Sequence, residues 1–176
     1  TTLLFLSTVS INKGIYIALN TFKELQKSHT ELNLIVAGDG AELENIKAMV
    51  AKENISNVSF TGFVSGAEKR DVFLKADIYL FPSFYEGMPT SVLEALCFGL
   101  PVVCSNVGAI PEIFEQGKMG QMVLEKENVL LYSEAIENII GDEMKQKDMS
   151  AYNKRVGHEN YLASKVVACI ENDYLN

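Results

Sequence analysis

The residues best equipped for chemistry lie in one stretch, Ser83-Phe84-Tyr85-Glu86-Gly87-Met88-Pro89-Thr90-Ser91-Val92-Leu93-Glu94. An apolar run precedes it and a helix-like segment follows, so it reads as a strand-to-helix connection. Gly87 gives the backbone freedom, and Pro89 fixes it just before the helix. Thr90 or Ser91 is the expected N-cap. The leading N–H groups of such a helix have no intrahelical acceptor, and the positive helix end suits an anion. Two carboxylates flank this anion site, Glu86 before the turn and Glu94 inside the helix. A carboxylate repels phosphate but accepts paired hydrogen bonds from hydroxyl groups. A ligand with both phosphate and vicinal diols reconciles the two demands, as a nucleotide sugar does. A plainer reading stands beside it: Ser91-Val92-Leu93-Glu94 also has the pattern of a capping box, in which Glu94 serves only the backbone.

The elements that position this stretch follow from the apolar pattern. Leu3–Ser7, Leu32–Ala37, Val58–Thr61, Ile78–Pro82, Val102–Ser105 and Gln121–Leu124 are short runs rich in Val, Ile, Leu and Phe. Such runs suit strands buried on both faces of a parallel sheet. Helix-like segments alternate with them over Gly14–Ser28, Glu42–Lys52, Lys69–Ala76, Ser91–Phe98 and Pro111–Glu115. In the first, Ile15, Ala18, Leu19, Phe22 and Leu25 repeat at the spacing that lines one helix face. The alternation predicts an α/β fold: a doubly wound, Rossmann-like parallel sheet flanked by helices. A helical tail follows as Val129–Ile140 and Met144–Tyr174, with the polar segment Asn153–Asn160 as a candidate break. In an open parallel sheet, ligands bind beyond the carboxyl ends of the strands. The loops that matter are therefore Thr8–Lys13, Gly38–Gly40, Gly62–Ser65, Ser83–Thr90 and Asn106–Ala109.

Composition narrows the partners. The 176 residues carry 15 Lys+Arg against 23 Asp+Glu, a formal charge of −8. That balance argues against nucleic acid, whose phosphates need neutralising by Lys and Arg. It also means that any phosphate site is local, built from backbone N–H groups, a helix N-terminus and one or two cations. No apolar run approaches the roughly 20 residues that span a bilayer. Cys97, Cys104 and Cys169 are widely spaced without a metal-ligand pattern; no metal site is expected, and a reducing cytoplasm fits. Cys97 and Cys104 read as small core residues. His29 and His158 read as surface residues, and Glu112 as a first-turn carboxylate favoured by the helix dipole.

Over a longer span, Phe84 to Val103 resembles the region of family 4 glycosyltransferases, the GT-B group, in which two glutamates lie eight positions apart. Gly99-Leu100-Pro101-Val102-Val103 continues the likeness, followed by Gly108-Ala109-Ile110-Pro111-Glu112-Ile113 and Gly117-Lys118-Met119-Gly120. Upstream, Val36-Ala37-Gly38-Asp39-Gly40, Phe60-Thr61-Gly62-Phe63-Val64 and Ala76 to Ser83 fall in the family's order. The resemblance runs from Leu3 to the tail.

It implies that Glu94 binds the ribose hydroxyls and Glu86 sits by the 3- and 4-hydroxyls of the donor sugar. Backbone N–H groups of Met88, Thr90 and Ser91 would cradle the diphosphate, with Gly87 beside them in the donor site, while Gly62, Phe63 and Val64 edge the base. Lys13 matches the family lysine that neutralises phosphate. One position departs from the pattern. The family usually carries Gly-Arg after its first strand, and here the pair is Ser7-Thr8, without the bidentate guanidinium.

The implied function is the donor-binding half of a retaining hexosyltransferase in surface-glycan or polysaccharide synthesis, with a nucleoside diphosphate sugar as substrate and no cofactor. On this reading residues 1–176 form a single nucleotide-sugar-binding domain with a tail from about residue 144. The N-terminal acceptor domain lies outside the chain, and the isolated domain transfers little. A cytoplasmic location is expected, with any membrane contact made peripherally at the inner face through that absent domain. Two alternatives remain open: a non-catalytic nucleotide-sugar-binding module that works with a separate acceptor subunit, and a GT-B-shaped epimerase. The poverty of histidine argues against the epimerase.

Overall fold

A computed structural model describes residues 1–165 of the chain. Six strands, β1 Thr2–Leu6, β2 Asn33–Ala37, β3 Val58–Gly62, β4 Ile78–Phe81, β5 Val102–Ser105 and β6 Gly120–Val123, form one sheet in the order β3-β2-β1-β4-β5-β6. Every pairing is parallel. The apolar runs predicted these strands to within a residue or two at each end.

Side chains of alternate parity enter two cores. Leu3 and Phe5 of β1 pack on one side with α1 (Ile15–Gln26), α2 (Leu43–Lys52) and α6 (Val129–Ile140). Leu4 packs on the other with α3 (Gly66–Lys75), α4 (Thr90–Phe98) and the short α5 (Ile110–Ile113). Burial on both faces is why β1, β4 and β5 read as unbroken apolar runs. On α1 the predicted stripe of Ile15, Ala18, Leu19, Phe22 and Leu25 is wholly buried. The strand order reverses between β1 and β4, so their connections leave in opposite directions and open a crevice there.

The tail differs from its sequence expectation. α7 runs unbroken over Glu143–Asn160, and the Asn153–Asn160 segment does not interrupt it. Asn153 is polar because it is a clamp: fully buried, its amide donates to the carbonyl oxygens of Leu100 at 2.8 Å and Met119 at 2.9 Å. Those carbonyls sit just before β5 and β6, so one side chain ties α7 to two strand starts. A turn later, α7 passes so close to α4 that a Cβ at Gly157 would lie 2.5 Å from the Cys97 nitrogen. Asn153→Ala takes the donor from the buried Leu100 carbonyl, removes one of two donors from the Met119 carbonyl (which keeps the Val102 amide at 3.0 Å), and opens a small void. Chemical denaturation is expected to show a loss of about 2–4 kcal/mol; a loss below about 0.5 kcal/mol would contradict the clamp. The part of the predicted tail beyond residue 165, with Cys169, lies outside the described residues.

Candidate functional site

The loops after β1 and β4 meet at the switch point. The β1 loop ends in one 3-10 turn, Ile11–Lys13, which closes on Gly14 in a left-handed conformation (φ 75°). Only glycine fits there, since a Cβ would lie 1.8 Å from the Pro82 carbonyl oxygen at the end of β4. That close approach lets the Asn12 carbonyl accept from the Phe84 amide at 2.9 Å. It also carries Lys13 to Glu86: Nζ donates to Oε1 at 2.7 Å. The buried Ser83 hydroxyl donates to the same oxygen at 2.6 Å. The Glu86 side chain is 8% exposed and that of Lys13 28%, so the pair is largely removed from bulk water.

Support from the β5 side fixes the rest of the β4 loop. Ala109 N–H donates to the Gly87 carbonyl at 2.8 Å. Gly108, at φ 57°, passes so near that a Cβ would sit 2.3 Å from that oxygen. Pro89, in extended conformation, is the N-cap of α4, and no side chain caps this helix. This corrects the expectation of Thr90 or Ser91 as N-cap. The extended Pro89 starts the helix one residue earlier, so both hydroxyl residues lie inside the first turn. The uncapped end keeps its leading N–H groups available for an anion beside the Lys13–Glu86 pair.

The capping box does not form either. Glu94 reaches across to α3, where Lys69 Nζ donates to its Oε1 at 2.6 Å. An ionised donor outbids the neutral backbone amide for the carboxylate. Each glutamate of the site is thus matched by a lysine. Within a chain of charge −8 these two lysines offset the two carboxylates.

Beyond β1, β2 and β3 lies a cavity of about 420 Å³, lined among others by Ser7, Thr8, Asp39, Phe63, Val64 and Lys69. Phe63 is 76% exposed on its rim. Gly62 ends β3 just before it, and its carbonyl accepts from the Gly38 amide at 2.8 Å, joining two of the loops. Of the predicted site residues, the fold therefore brings Lys13 and Glu86 into contact. It puts Phe63 and Val64 on one cavity wall, and Gly87, Met88, Thr90 and Ser91 at the start of α4. Glu94 joins the cavity through Lys69.

Three participants escaped the sequence reading: Ser83 as a partner of Glu86, Lys69, and Lys126. The last donates to the Phe84 carbonyl at 3.3 Å and lies 5.5 Å from the centre of the Tyr85 ring. A lysine one turn into the helix after Gly62–Ser65 was a readable signal for Lys69; Lys126 carried none. Cys104 is buried, and burial pushes its thiol well above the ordinary range. Cys97 is only half-buried, a partial correction to its placing in the core. His29 approaches Glu137 at 4.0 Å, and the exposed His158 bonds the Cys97 carbonyl; neither faces the crevice groups. No helix among the described residues is long and apolar enough to cross a membrane.

The sheet order and the groups gathered at its switch point define a Rossmann-like domain, one half of a GT-B fold. The chain belongs to the family described as glycosyl transferases group 1, which matches residues 1–156. It is 26% identical over 167 residues to spore coat protein SA of Bacillus subtilis, covering 90% of this chain and 44% of that protein. With the putative teichuronic acid biosynthesis glycosyltransferase TuaC of the same organism it shares 32% over 126 residues, 70% of this chain and 29% of that one. Among solved structures, Anabaena HepE in complex with UDP and glucose superposes with a TM-score of 0.85 at 20% identity, over 99% of this chain and 48% of that chain. The C-terminal domain of the glycosyl transferase group 1 protein LpcC from Francisella tularensis gives 0.80 at 18% identity, over 92% of this chain and 86% of that one. The chain spans less than half the length of the two Bacillus proteins and of HepE.

Proposed function

We propose that the chain is the donor-binding domain of a retaining glycosyltransferase, which moves a sugar from a nucleoside diphosphate sugar to an acceptor hydroxyl. The observation that carries this reading is the Lys13–Glu86 pair beside the uncapped α4 N-terminus, at the switch point of the sheet. A diphosphate arriving at that helix end competes for Lys13. Drawing the lysine away frees Glu86 to accept from sugar hydroxyls, so one event arms both groups. Lys13 and the helix end then stabilise charge as it develops on the leaving diphosphate, and the reading requires no metal ion or cofactor. The departing phosphate takes the acceptor's proton, which keeps the sugar's configuration without a side-chain nucleophile. Glu94 holds the ribose, and Gly62, Phe63 and Val64 border the base.

The names of relatives bear on substrate and role. HepE holds UDP and glucose, and TuaC is described as a teichuronic acid biosynthesis enzyme. By that likeness the activity belongs to surface-polysaccharide synthesis in the cytoplasm. Residues 1–176 are one domain of it, completed by an acceptor-binding domain that meets the crevice. Isothermal titration of the 176-residue chain against uridine, guanosine and adenosine diphosphates tests the reading. At least one is expected to bind well ahead of its nucleoside; binding of none overturns it.

Thr8 is exposed on the cavity wall where the family usually carries arginine. Thr8→Arg is expected to tighten the preferred diphosphate by about tenfold through charge-assisted bonds. Unchanged or weaker binding by calorimetry counts against placing Thr8 at the phosphates.

A further inference from the structure

Glu94 is a carboxylate with unequal oxygens. Its Oε1 accepts from Lys69 Nζ at 2.6 Å, while Oε2 is shielded from solvent and has no hydrogen-bond partner among the described residues. A shielded carboxylate oxygen without a donor is costly, and such an atom in a native fold calls for an explanation. The carboxylate belongs to α4 and the lysine to α3, and Lys69 itself lines the cavity shared with Thr8, Phe63 and Val64. The lysine thus links the cavity to a carboxylate still short of a donor. Each carboxylate oxygen accepts about two hydrogen bonds, so Oε1 keeps room for a hydroxyl beside Lys69. The Glu94 side chain is 37% exposed although Oε2 is shielded, so Oε1 beside Lys69 is the oxygen open to a ribose hydroxyl.

We propose that Lys69 is a positioning residue that sets the Glu94 carboxylate to accept the ribose diol, and so determines the site's preference for ribonucleotides over 2′-deoxyribonucleotides. The proposal rests on the reading of the crevice as a nucleotide-sugar site. Without Lys69, the Glu94 side chain loses its one fixed contact and swings among rotamers, and the diol meets no preset acceptor. A lysine that served only as a diffuse countercharge for the phosphates would act on both sugars alike. The ratio of their affinities, rather than either affinity, separates the two roles.

The test is isothermal titration of the parent chain, Lys69→Met, Lys69→Arg and Glu94→Gln with UDP, GDP and ADP, each beside its 2′-deoxy counterpart. For the diphosphate that binds best, the parent is expected to prefer the ribonucleotide by about tenfold or more. Lys69→Met is expected to bring that ratio to within about twofold of unity, Glu94→Gln to do the same, and Lys69→Arg to retain most of it. The double variant Lys69→Met/Glu94→Gln loses no further selectivity, because both act on one contact. Lys69 is partly exposed on its helix, and circular dichroism confirms that each variant is folded. A ratio unchanged in Lys69→Met while both ligands weaken together overturns the proposal and leaves the nucleotide-sugar reading standing. A parent chain that binds none of the diphosphates removes that reading, and this one with it.

Discussion

Substituting Lys13 by methionine lowers the affinity of the chain for a nucleoside diphosphate by roughly thirty- to a hundredfold, about 2–3 kcal/mol. The size of the effect follows from how few cations serve the anion site. On the proposed reading, and with Thr8 at the expected arginine position, the phosphate contacts fall to Lys13 and the α4 N-terminus. The same change disturbs the free protein. Glu86, whose side chain is 8% exposed, is left with only the Ser83 hydroxyl on Oε1. Stripping the partner from a nearly buried charge costs stability as well as binding, here about 2 kcal/mol, less than for a fully buried pair because Lys13 is partly wet. Two measurements separate the effects. In Lys13→Met/Glu86→Gln the lone charge is gone, so thermal stability recovers most of its loss. Diphosphate affinity in calorimetry stays low, since neither change restores a cation. Recovery of affinity in the double variant would mean that Lys13 serves only the ion pair.

A larger structural effect is expected from Gly14→Ala. The left-handed backbone at this position costs a residue with a Cβ about 1–2 kcal/mol. The methyl group would also lie 1.8 Å from the Pro82 carbonyl oxygen, a backbone atom that cannot swing aside. The β1 and β4 loops must separate, breaking the contact between the Asn12 carbonyl and the Phe84 amide. The summed loss is expected to reach about 3–5 kcal/mol in denaturant titration. Because Lys13 precedes Gly14 and Glu86 follows Phe84, the same parting removes diphosphate binding in whatever fraction remains folded. Retention of wild-type stability would show that the loops do not depend on this approach.

How much of this was legible in the sequence depends on whether local pattern or tertiary contact decides. The strands were legible because burial on both faces leaves no polar alternation to confuse, as in Leu3-Leu4-Phe5 and Val102-Val103-Cys104. The α1 stripe was legible from its spacing. The crevice was legible because two glutamates, a proline and a glycine fell at one strand-to-helix turn. The partnerships were not. Whether Glu94 turns back to its own helix end or out to Lys69 depends on how α3 and α4 pack, and no window of sequence holds both helices. Asn153 misled for a related reason: a polar residue reads as solvated until two strand-start carbonyls are found waiting for it. The N-cap was off by one residue, because Pro89 fills the position that a hydroxyl side chain usually takes.

The central claim is that a nucleoside diphosphate sugar occupies the crevice between the β1 and β4 loops. Amide chemical-shift mapping of the chain, titrated with the sugar derivatives of UDP, GDP and ADP, tests it most directly. At least one of them is expected to shift amides of Thr8–Gly14, Gly62–Lys69 and Glu86–Glu94 together and saturably. Shifts confined to the far edge of the sheet, around the cavity between β6 and α6 lined by Gln121, Leu124 and Glu134, or no shifts with any of the three, would contradict it.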